Sequence, residues 1–331
     1  DSKYILSVLD AITSAEIISE LEEDVREKFL ENYSPKELSK YLIHIDSDDI
    51  ADILQDQNIE VREQTLSHLS NLNEEKAENT EELLRYEEDT AGGLMGKEFI
   101  CANLNWTIVQ CIDEIRRQKS NVDKVHSVYV IDDNDVLKGR VSLKRIILAD
   151  DETLITEIYD NEIISVQTFE DEDEVAAIMQ KYDLEAIPVV DVNEKLVGRI
   201  TIDDVVDVIV DQAEEDKQLM SGMTDDVGES DNIWLLTKAK LPWLMIGIVG
   251  GLFGAYFMEF FEQDLLLIPA LSFFVPLIMA TGGNVGIQSS SLIVQSLATK
   301  SLIAEKLTSR LFKALAVACI NGVVIAILVF G

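Results

Sequence analysis

"LKGRVSL", Leu137 to Leu143, returns 59 residues later as "LVGRITI", Leu196 to Ile202. Each copy follows an apolar run ("SVYVID", "AIPVVD") and an acidic turn ("DDND", "VNEK"), and each leads into apolar residues at helical spacing. Short apolar runs bounded by turn residues read as strands, and a fixed internal period marks one supersecondary unit used twice. Two copies of an αββα-like unit are predicted between about Asp89 and Ala213.

Working outward, residues 1 to about 85 change character. "LSVLDAITSAEIISELEED", "SPKELSKYLIHI" and "SDDIADILQ" place apolar residues three and four apart, and Ser34-Pro35 and Ser47-Asp48 have the chemistry of helix starts. A helical bundle follows. Beyond the repeats, Leu241 to Phe261 carries no charge before Glu259. About twenty apolar residues cross roughly 30 Å of hydrocarbon, so this is a predicted membrane span. Its Gly247/Gly251 and Gly250/Gly254 pairs have GxxxG spacing, which permits close helix approach and is also ordinary glycine tolerance in membranes. Leu265 to Ala280 restarts the apolar run, and Leu311 to Phe330 forms a third with Asn321 deep inside it. Between these lies "IMATGGNVGIQSSSL", Ile278 to Leu292. Unpaired backbone in hydrocarbon costs several kcal/mol, so so polar a stretch predicts a break over Thr281 to Ser291 that lines a pore or binding site.

The fold class is therefore a multidomain membrane protein: an all-α N-terminal bundle, an α/β tandem pair and an α-helical transmembrane domain. The expected boundaries are 1–88 for the acidic bundle, 89–150 and 151–212 for the two repeats, 213–233 for a linking helix and linker, and 234–331 for the first three membrane helices. Lys238 and Lys240 precede the first span, and Lys300, Lys306, Arg310 and Lys313 lie between the second and third, whereas Glu262 and Asp264 follow the first. The positive-inside rule then predicts a multi-pass cell-membrane protein with residues 1–233 cytoplasmic. A start at Asp1 rather than Met is expected of a trimmed chain, and a third span that reaches Gly331 leaves further helices expected beyond it.

Charge divides the chain as sharply as hydropathy does. Residues 232–331 hold four acids and six bases, so 58 of the 62 acids and 21 of the 27 bases fall in residues 1–231, whose net charge is −37. Such a field excludes nucleic acid and anionic lipid as partners and attracts cations. Bound divalent metal and a solvated, salt-adapted surface both fit it. Cys101, Cys111 and Cys319 form no CxxC, and His44, His68 and His126 are isolated, which excludes a disulfide framework and a zinc site. With no nucleophile beside a base, no phosphate loop and no catalytic metal triad, the chain is not expected to be an enzyme.

The helix entered at Asp203, "DDVVDVIVDQAEED", puts Asp204, Asp207, Asp211 and Glu215 on one face. Like charges at that spacing destabilise a helix by a few tenths of a kcal/mol per pair. A hard divalent cation reverses the sign, since Mg²⁺ takes oxygen ligands, keeps several waters and needs one or two carboxylates. "DSDDIAD" (Asp46, Asp48, Asp49, Asp52) and the trio Asp171, Asp173 and Asp183 could face that ladder, although each alone also reads as a solvated helix start or turn.

The repeat resembles the cystathionine-β-synthase (CBS) domain, a regulatory module that often holds a nucleotide through a Thr-x-x-Asp. Thr201 to Asp204 fits that pattern, and Asp204 fits an ordinary helix cap as well; the first copy has Ser142 to Arg145 instead. Taken together, "EDTAGGLM" (Glu88 to Met95), "YVIDDNDVLKGRVSL" and "PLIMATGGNVGIQSSSLIVQSLAT" resemble the MgtE family of magnesium channels and transporters along the whole chain. That resemblance implies a homodimer of five membrane helices per subunit, embedded in the bilayer and shut by cytosolic Mg²⁺ that bridges the acidic domains. It implies sensor ligands at Asp49, Asp52, Asp171, Asp173, Asp183, Asp204, Asp207, Glu215 and Asp216, to which the carboxylate ladder adds Asp211. One family carboxylate falls at Gln212 here. In the membrane it implies an ion path along Gly282, Gly283, Asn284, Gly286 and Gln288, with Ile287 where the pattern often has a polar residue; the family's pore carboxylate belongs to the fifth helix, beyond this sequence. Mg²⁺ would be both cargo and regulator, and ATP a ligand of the CBS pair. The alternatives are a transporter of another solute whose CBS pair senses nucleotide, and a membrane-tethered scaffold.

Overall fold

A computed structural model of the chain describes residues 6, 8–21, 23–119, 122, 125, 127–220, 232–269, 273–298 and 307–330. It divides into two compact units, Asp1–Ile209 and Val210–Gly331. The Ser221 to Asp231 linker, with Lys300 and Lys306 of the basic loop, lies outside the described residues.

The first unit opens with helices α1 (Ala11–Ser19), α2 (Glu23–Leu30), α3 (Pro35–Leu42), α4 (Ser47–Gln55), α5 (Ile59–Ser70) and α6 (Glu74–Leu83). Their starts follow local chemistry. Ser34 is extended and its hydroxyl accepts from the Glu37 amide, while the Glu37 carboxylate accepts from the Ser34 amide at 3.0 Å and Pro35 occupies the first helical turn. That reciprocal box satisfies two of the amides a helix start leaves bare. α4 begins after extended Asp46. It buries Ser47, Ile50, Ala51, Ile53 and Leu54, which leaves Asp48, Asp49 and Asp52 on the opposite side. Ile50, Ile53 and Leu54 join Ile18, Leu30, Leu38, Leu42 and Leu69 in one core.

The short helix α7 (Ala91–Leu94) leads into two copies of a three-stranded sheet. In the first, β1 (Ile100–Asn103) runs parallel to β2 (Val128–Ile131), which runs antiparallel to β3 (Leu137–Val141), with α8 (Ile108–Arg117) between β1 and β2 and α9 (Leu143–Leu148) after β3. After α10 (Ile155–Ile158), the second repeats this with β4 (Val166–Gln167), α11 (Glu172–Tyr182), β5 (Ala186–Val190), β6 (Leu196–Thr201) and α12 (Ile202–Met220). Ala51 of α4 and Leu83 of α6 pack into the second repeat's core with Met95, Val175, Met179, Ile187 and Ile200, so bundle and repeat share apolar interior.

The shared Gly-Arg of the two repeats has a packing cause. The lead-in to the second repeat lies along β3 of the first, where Arg140 and Asp160 exchange both backbone bonds at 2.9 and 2.8 Å. The lead-in to the first repeat lies along β6 of the second, where Gly96 and Arg199 do the same at 2.8 and 3.0 Å. The straps are swapped. A Cβ at Gly139 would stand 2.1 Å from the Asp160 carbonyl oxygen, so main chain excludes a side chain there, whereas one at Gly198 would stand 2.4 Å from Met95 Sδ and crowd a side chain.

In the second unit, α13 (Ile233–Glu259) starts at Asn232, whose side chain accepts from the Trp234 amide, and contains Pro242. It begins eight residues before the predicted Leu241, since Asn232 supplies a cap that the hydropathy pattern does not show. Among the described residues, α13 alone is long and apolar enough to cross a membrane. The short α14 (Glu262–Leu267) follows, then α15 (Val275–Ala298) and α16 (Leu307–Phe330), whose stretch Leu311–Ile327 is apolar. The expected break at Thr281 to Ser291 is absent: α15 runs through it. The Thr281 hydroxyl returns to the Leu277 carbonyl at 2.7 Å. A continuous helix satisfies its own backbone, which outweighs the roughly 1 kcal/mol propensity loss of each glycine.

Candidate metal centre

The first turn of α4 meets the strap that enters the first repeat. The Ser47 amide donates to Glu98 Oε1 at 3.1 Å and its hydroxyl donates to Glu98 Oε2 at 2.9 Å, while the Lys97 amide donates to the same hydroxyl at 3.3 Å. Glu98 is 5% exposed. Carboxylate oxygens of Asp46, Asp48 and Glu98 all lie within 4.8 Å of one another. Asp48 Oδ1 is shut away from water with no hydrogen-bond partner, and Asp48 Oδ2 lies 2.7 Å from the place a Cβ on Gly96 would take.

The second repeat adds a carboxylate from the start of α12. Asp204 Oδ2 accepts from the Thr201 amide at 2.8 Å and from the Thr201 hydroxyl at 2.7 Å. It thus closes back on the residue before the helix, the Glu side of a capping box played by Asp. One carboxylate both caps its helix and charges the cluster.

Electrostatics record how crowded these groups are. Burial pushes the Asp48 carboxyl well above its ordinary value, and the charges of Asp204, Glu98, Asp49 and Asp46 push the same way. Asp49 rises to about 7, by burial first and then Asp46 and Asp204. Burial also raises Glu98, with Asp46 adding and the Ser47 bonds and Lys76 opposing, and it raises Asp204 against the pull of Thr201 and Arg199. Crowding by protein and the Asp49 charge push Asp52 up to about 7 against Arg26, but its side chain is exposed, so water screens it and the rise there counts for less than at its neighbours. Neighbouring basic groups are engaged elsewhere as well: Lys76 Nζ donates to the Ile43 and Ile45 carbonyls, and Arg26 pairs with Asp56 at 2.8 Å. An all-oxygen donor set with an unpartnered carboxylate oxygen and mutual repulsion suits a hard divalent cation.

The structure gathers some predicted residues and separates others. Asp49 lies in the field of Asp204. Asp207, one turn further along α12, is raised by burial, Glu20 and Asp203. Asp171 caps α11 at its start and accepts from the Asp173 amide, whereas Asp183 caps its end in the left-handed conformation at φ 53°. Eleven residues at 1.5 Å each hold these ends about 16 Å apart, so within one chain the trio is not one cluster. Asp211 and Asp216 lie in the second unit, exposed and half-buried, and the side chain of Glu215 is outside the described residues. Gly282, Gly283, Asn284, Gly286, Ile287 and Gln288 are all exposed along α15. In the first repeat, Arg145 stands where the second has Asp204 and donates to the Ile158 carbonyl at 2.8 Å. Sequence reasoning missed Glu98. A lone acid between Lys97 and an apolar strand carries no period or motif, and its partner is 51 residues away.

Comparison with known proteins fits this architecture. Residues 1–89 match the MgtE intracellular N domain, 91–152 and 155–211 match the CBS domain, and 275–331 match the MgtE divalent cation transporter family. Over 336 residues the sequence is 33% identical to the magnesium transporter MgtE of Thermus thermophilus, spanning 99% of this chain and 73% of that protein. The chain belongs to the MgtE family. It is also 27% identical to the magnesium transporter MgtE of Bacillus subtilis over 98% of this chain and 71% of that one. Among solved structures, the soluble part of a magnesium transporter superposes with a TM-score of 0.58 at 32% identity, covering 64% of this chain and 82% of the other. The cytosolic domain of the Mg²⁺ channel MgtE in complex with ATP gives 0.55 at 34%, covering 62% and 83%. The acidic bundle, the CBS pair and the apolar helices are thus the family's architecture.

Proposed function

We propose that this chain moves Mg²⁺ across the cell membrane and that cytosolic Mg²⁺ shuts the path by settling among carboxylates of the helical domain and the second CBS repeat. The observation that carries the reading is the half-buried, mutually repelling set of Asp46, Asp48, Asp49 and Asp204 around buried Glu98, with Asp48 Oδ1 lacking a partner. A bound Mg²⁺ supplies two positive charges and a shell of water. Asp48 and Asp49 on α4 and Asp204 and Asp207 on α12 then tolerate close packing, and as Mg²⁺ falls their repulsion drives the elements apart. A ligand shifts such an equilibrium only by its preference for one state, so several weak sites that favour the closed form give a steep response.

The rest of the assignment completes this reading. Residues 1–88, 89–150 and 151–212 form the cytoplasmic sensor, 213–233 link it to the membrane, and 234–331 supply the first three helices of a multi-pass domain in a homodimer. Asp171, Asp173 and Asp183, being split between the ends of α11, would ligate ions shared with other elements, as would Asp211, Glu215 and Asp216. Gly282, Gly283, Asn284, Gly286 and Gln288 line the ion path on an unbroken α15. The named relatives are transporters and a channel, which supports transport rather than catalysis.

The test is uptake by the complete protein in vesicles at low and high internal Mg²⁺. Asp204→Asn with Asp207→Asn should keep conducting at internal Mg²⁺ that shuts the native protein; normal closure in that variant would sink the sensor. A second reading, regulation by nucleotide, draws on the ATP held by a 34% identical relative. Thr201 and Asp204 are its candidate contacts here. Protection of the Ser221 to Asp231 linker from protease by ATP alone would favour it, and protection by Mg²⁺ alone would favour ion sensing.

A further inference from the structure

We propose that Glu98 is a positioning residue that clamps the first turn of α4 to the strap at Gly96–Lys97 and so aims Asp48 and Asp49 at Asp204 before any cation arrives. The cap residue of α4, Asp46, makes no side-chain cap bond. The Ser47 amide, one of the first-turn donors that have no partner within the helix, is met by Glu98, which accepts the Ser47 amide with one oxygen and the Ser47 hydroxyl with the other. At 3.1 and 2.9 Å these bonds have ordinary lengths, and bonds to an ionised acceptor are about twice as strong as neutral ones. The clamp is two-sided, because the Lys97 amide donates to the same Ser47 hydroxyl and the Gly96 amide is tied to the Arg199 carbonyl of β6.

A continuous chain of bonds therefore runs from α4 through Ser47, Glu98 and Gly96 to β6, and β6 ends at Thr201, which holds Asp204. Asp48, near one end of that chain, lies in the field of Asp204 at the other. Glu98 belongs to the close acidic trio, and each of its oxygens already accepts one bond from Ser47, so it holds the first turn of α4 whether or not a cation is present.

The experiment is hydrogen exchange on the full chain, native and Glu98→Gln, first in chelator and then along a Mg²⁺ titration. Gln keeps the size but presents one acceptor and an NH₂ that can only donate. In chelator, peptides carrying the Ser47 and Lys97 amides should exchange about tenfold faster or more in the variant. Unchanged exchange there overturns the clamp. In the titration, the variant should need at least about threefold more Mg²⁺ for half-maximal protection of α4, because fewer molecules start in the competent geometry. A lower requirement would mean that Glu98 acts as one more repelling charge, and would equally overturn the assignment. Ile53→Val, a mild loss in the helical core, should lower melting temperature while leaving the Mg²⁺ midpoint in place; a midpoint moved as far as by Glu98→Gln would reduce Glu98 to general stability. The titration rests on the ion-sensing reading, whereas the chelator arm does not. Native protein that ignores Mg²⁺ would defeat that reading and leave the clamp to be decided by the first arm.

Discussion

Asp48 carries the sharpest consequence at the scale of single residues. Its folded-state carboxyl binds a proton more tightly than it would in an unfolded chain, as do those of Asp49, Glu98 and Asp204. A group raised in this way contributes most below its unfolded value and loses that contribution as pH climbs through its folded value. Without divalent cation, melting temperature should therefore fall as pH rises from 3.8 through about 7, between the ordinary and the folded-state value of Asp49. Scanning calorimetry in chelator across that range checks it, and a melting temperature that climbs throughout would refute the buried cluster. At pH 7.5 in chelator, Asp48→Asn should raise the melting temperature by about 2 °C or more, since about 1 kcal/mol moves a domain of this size by roughly 2–4 °C. Saturating Mg²⁺ should erase that advantage. The α4 acids were legible in the sequence because the amphipathic pattern placed them together on one face. Glu98 was not, because its role comes from a contact across 51 residues that leaves no local trace.

Elements differ in how far local chemistry fixes them. Ser34 starts α3 through a box written within four residues, so Ser34→Ala should cost about 0.5–2 kcal/mol by denaturant unfolding. The Gly-Arg of the repeats announced two equal units, yet the reason for glycine is tertiary: a foreign strap lies against each. Gly139→Ala should destabilise by about 1–3 kcal/mol, because its Cβ meets main chain that cannot swing aside, and Gly198→Ala by less, because the Met95 thioether can move partway. A larger loss at Gly198 would contradict this order. The polar stretch in α15 misled in the opposite direction: glycine and serine suggest a break, but the helix runs through them and closes its own backbone bonds. Asp171 and Asp183 show the remaining limit. Their shared sign and closeness in sequence say nothing of the helix that holds them apart.

The whole molecule carries its charge in one part, −37 within residues 1–231. Diffuse screening and specific binding can be told apart on that ground, since Na⁺ screens exposed pairs beyond about 8–10 Å and leaves buried pairs largely untouched. Mg²⁺ at about 1 mM should raise the melting temperature of the chelated protein more than NaCl of equal ionic strength. Equal effects would indicate a merely salt-adapted surface. The swapped straps bear on what can be dissected. Severing the chain between the repeats would bare the rim of β3 in one piece and of β6 in the other, each with amides and carbonyls in search of a mate. Half of this module is accordingly a seed for self-association rather than a smaller sensor.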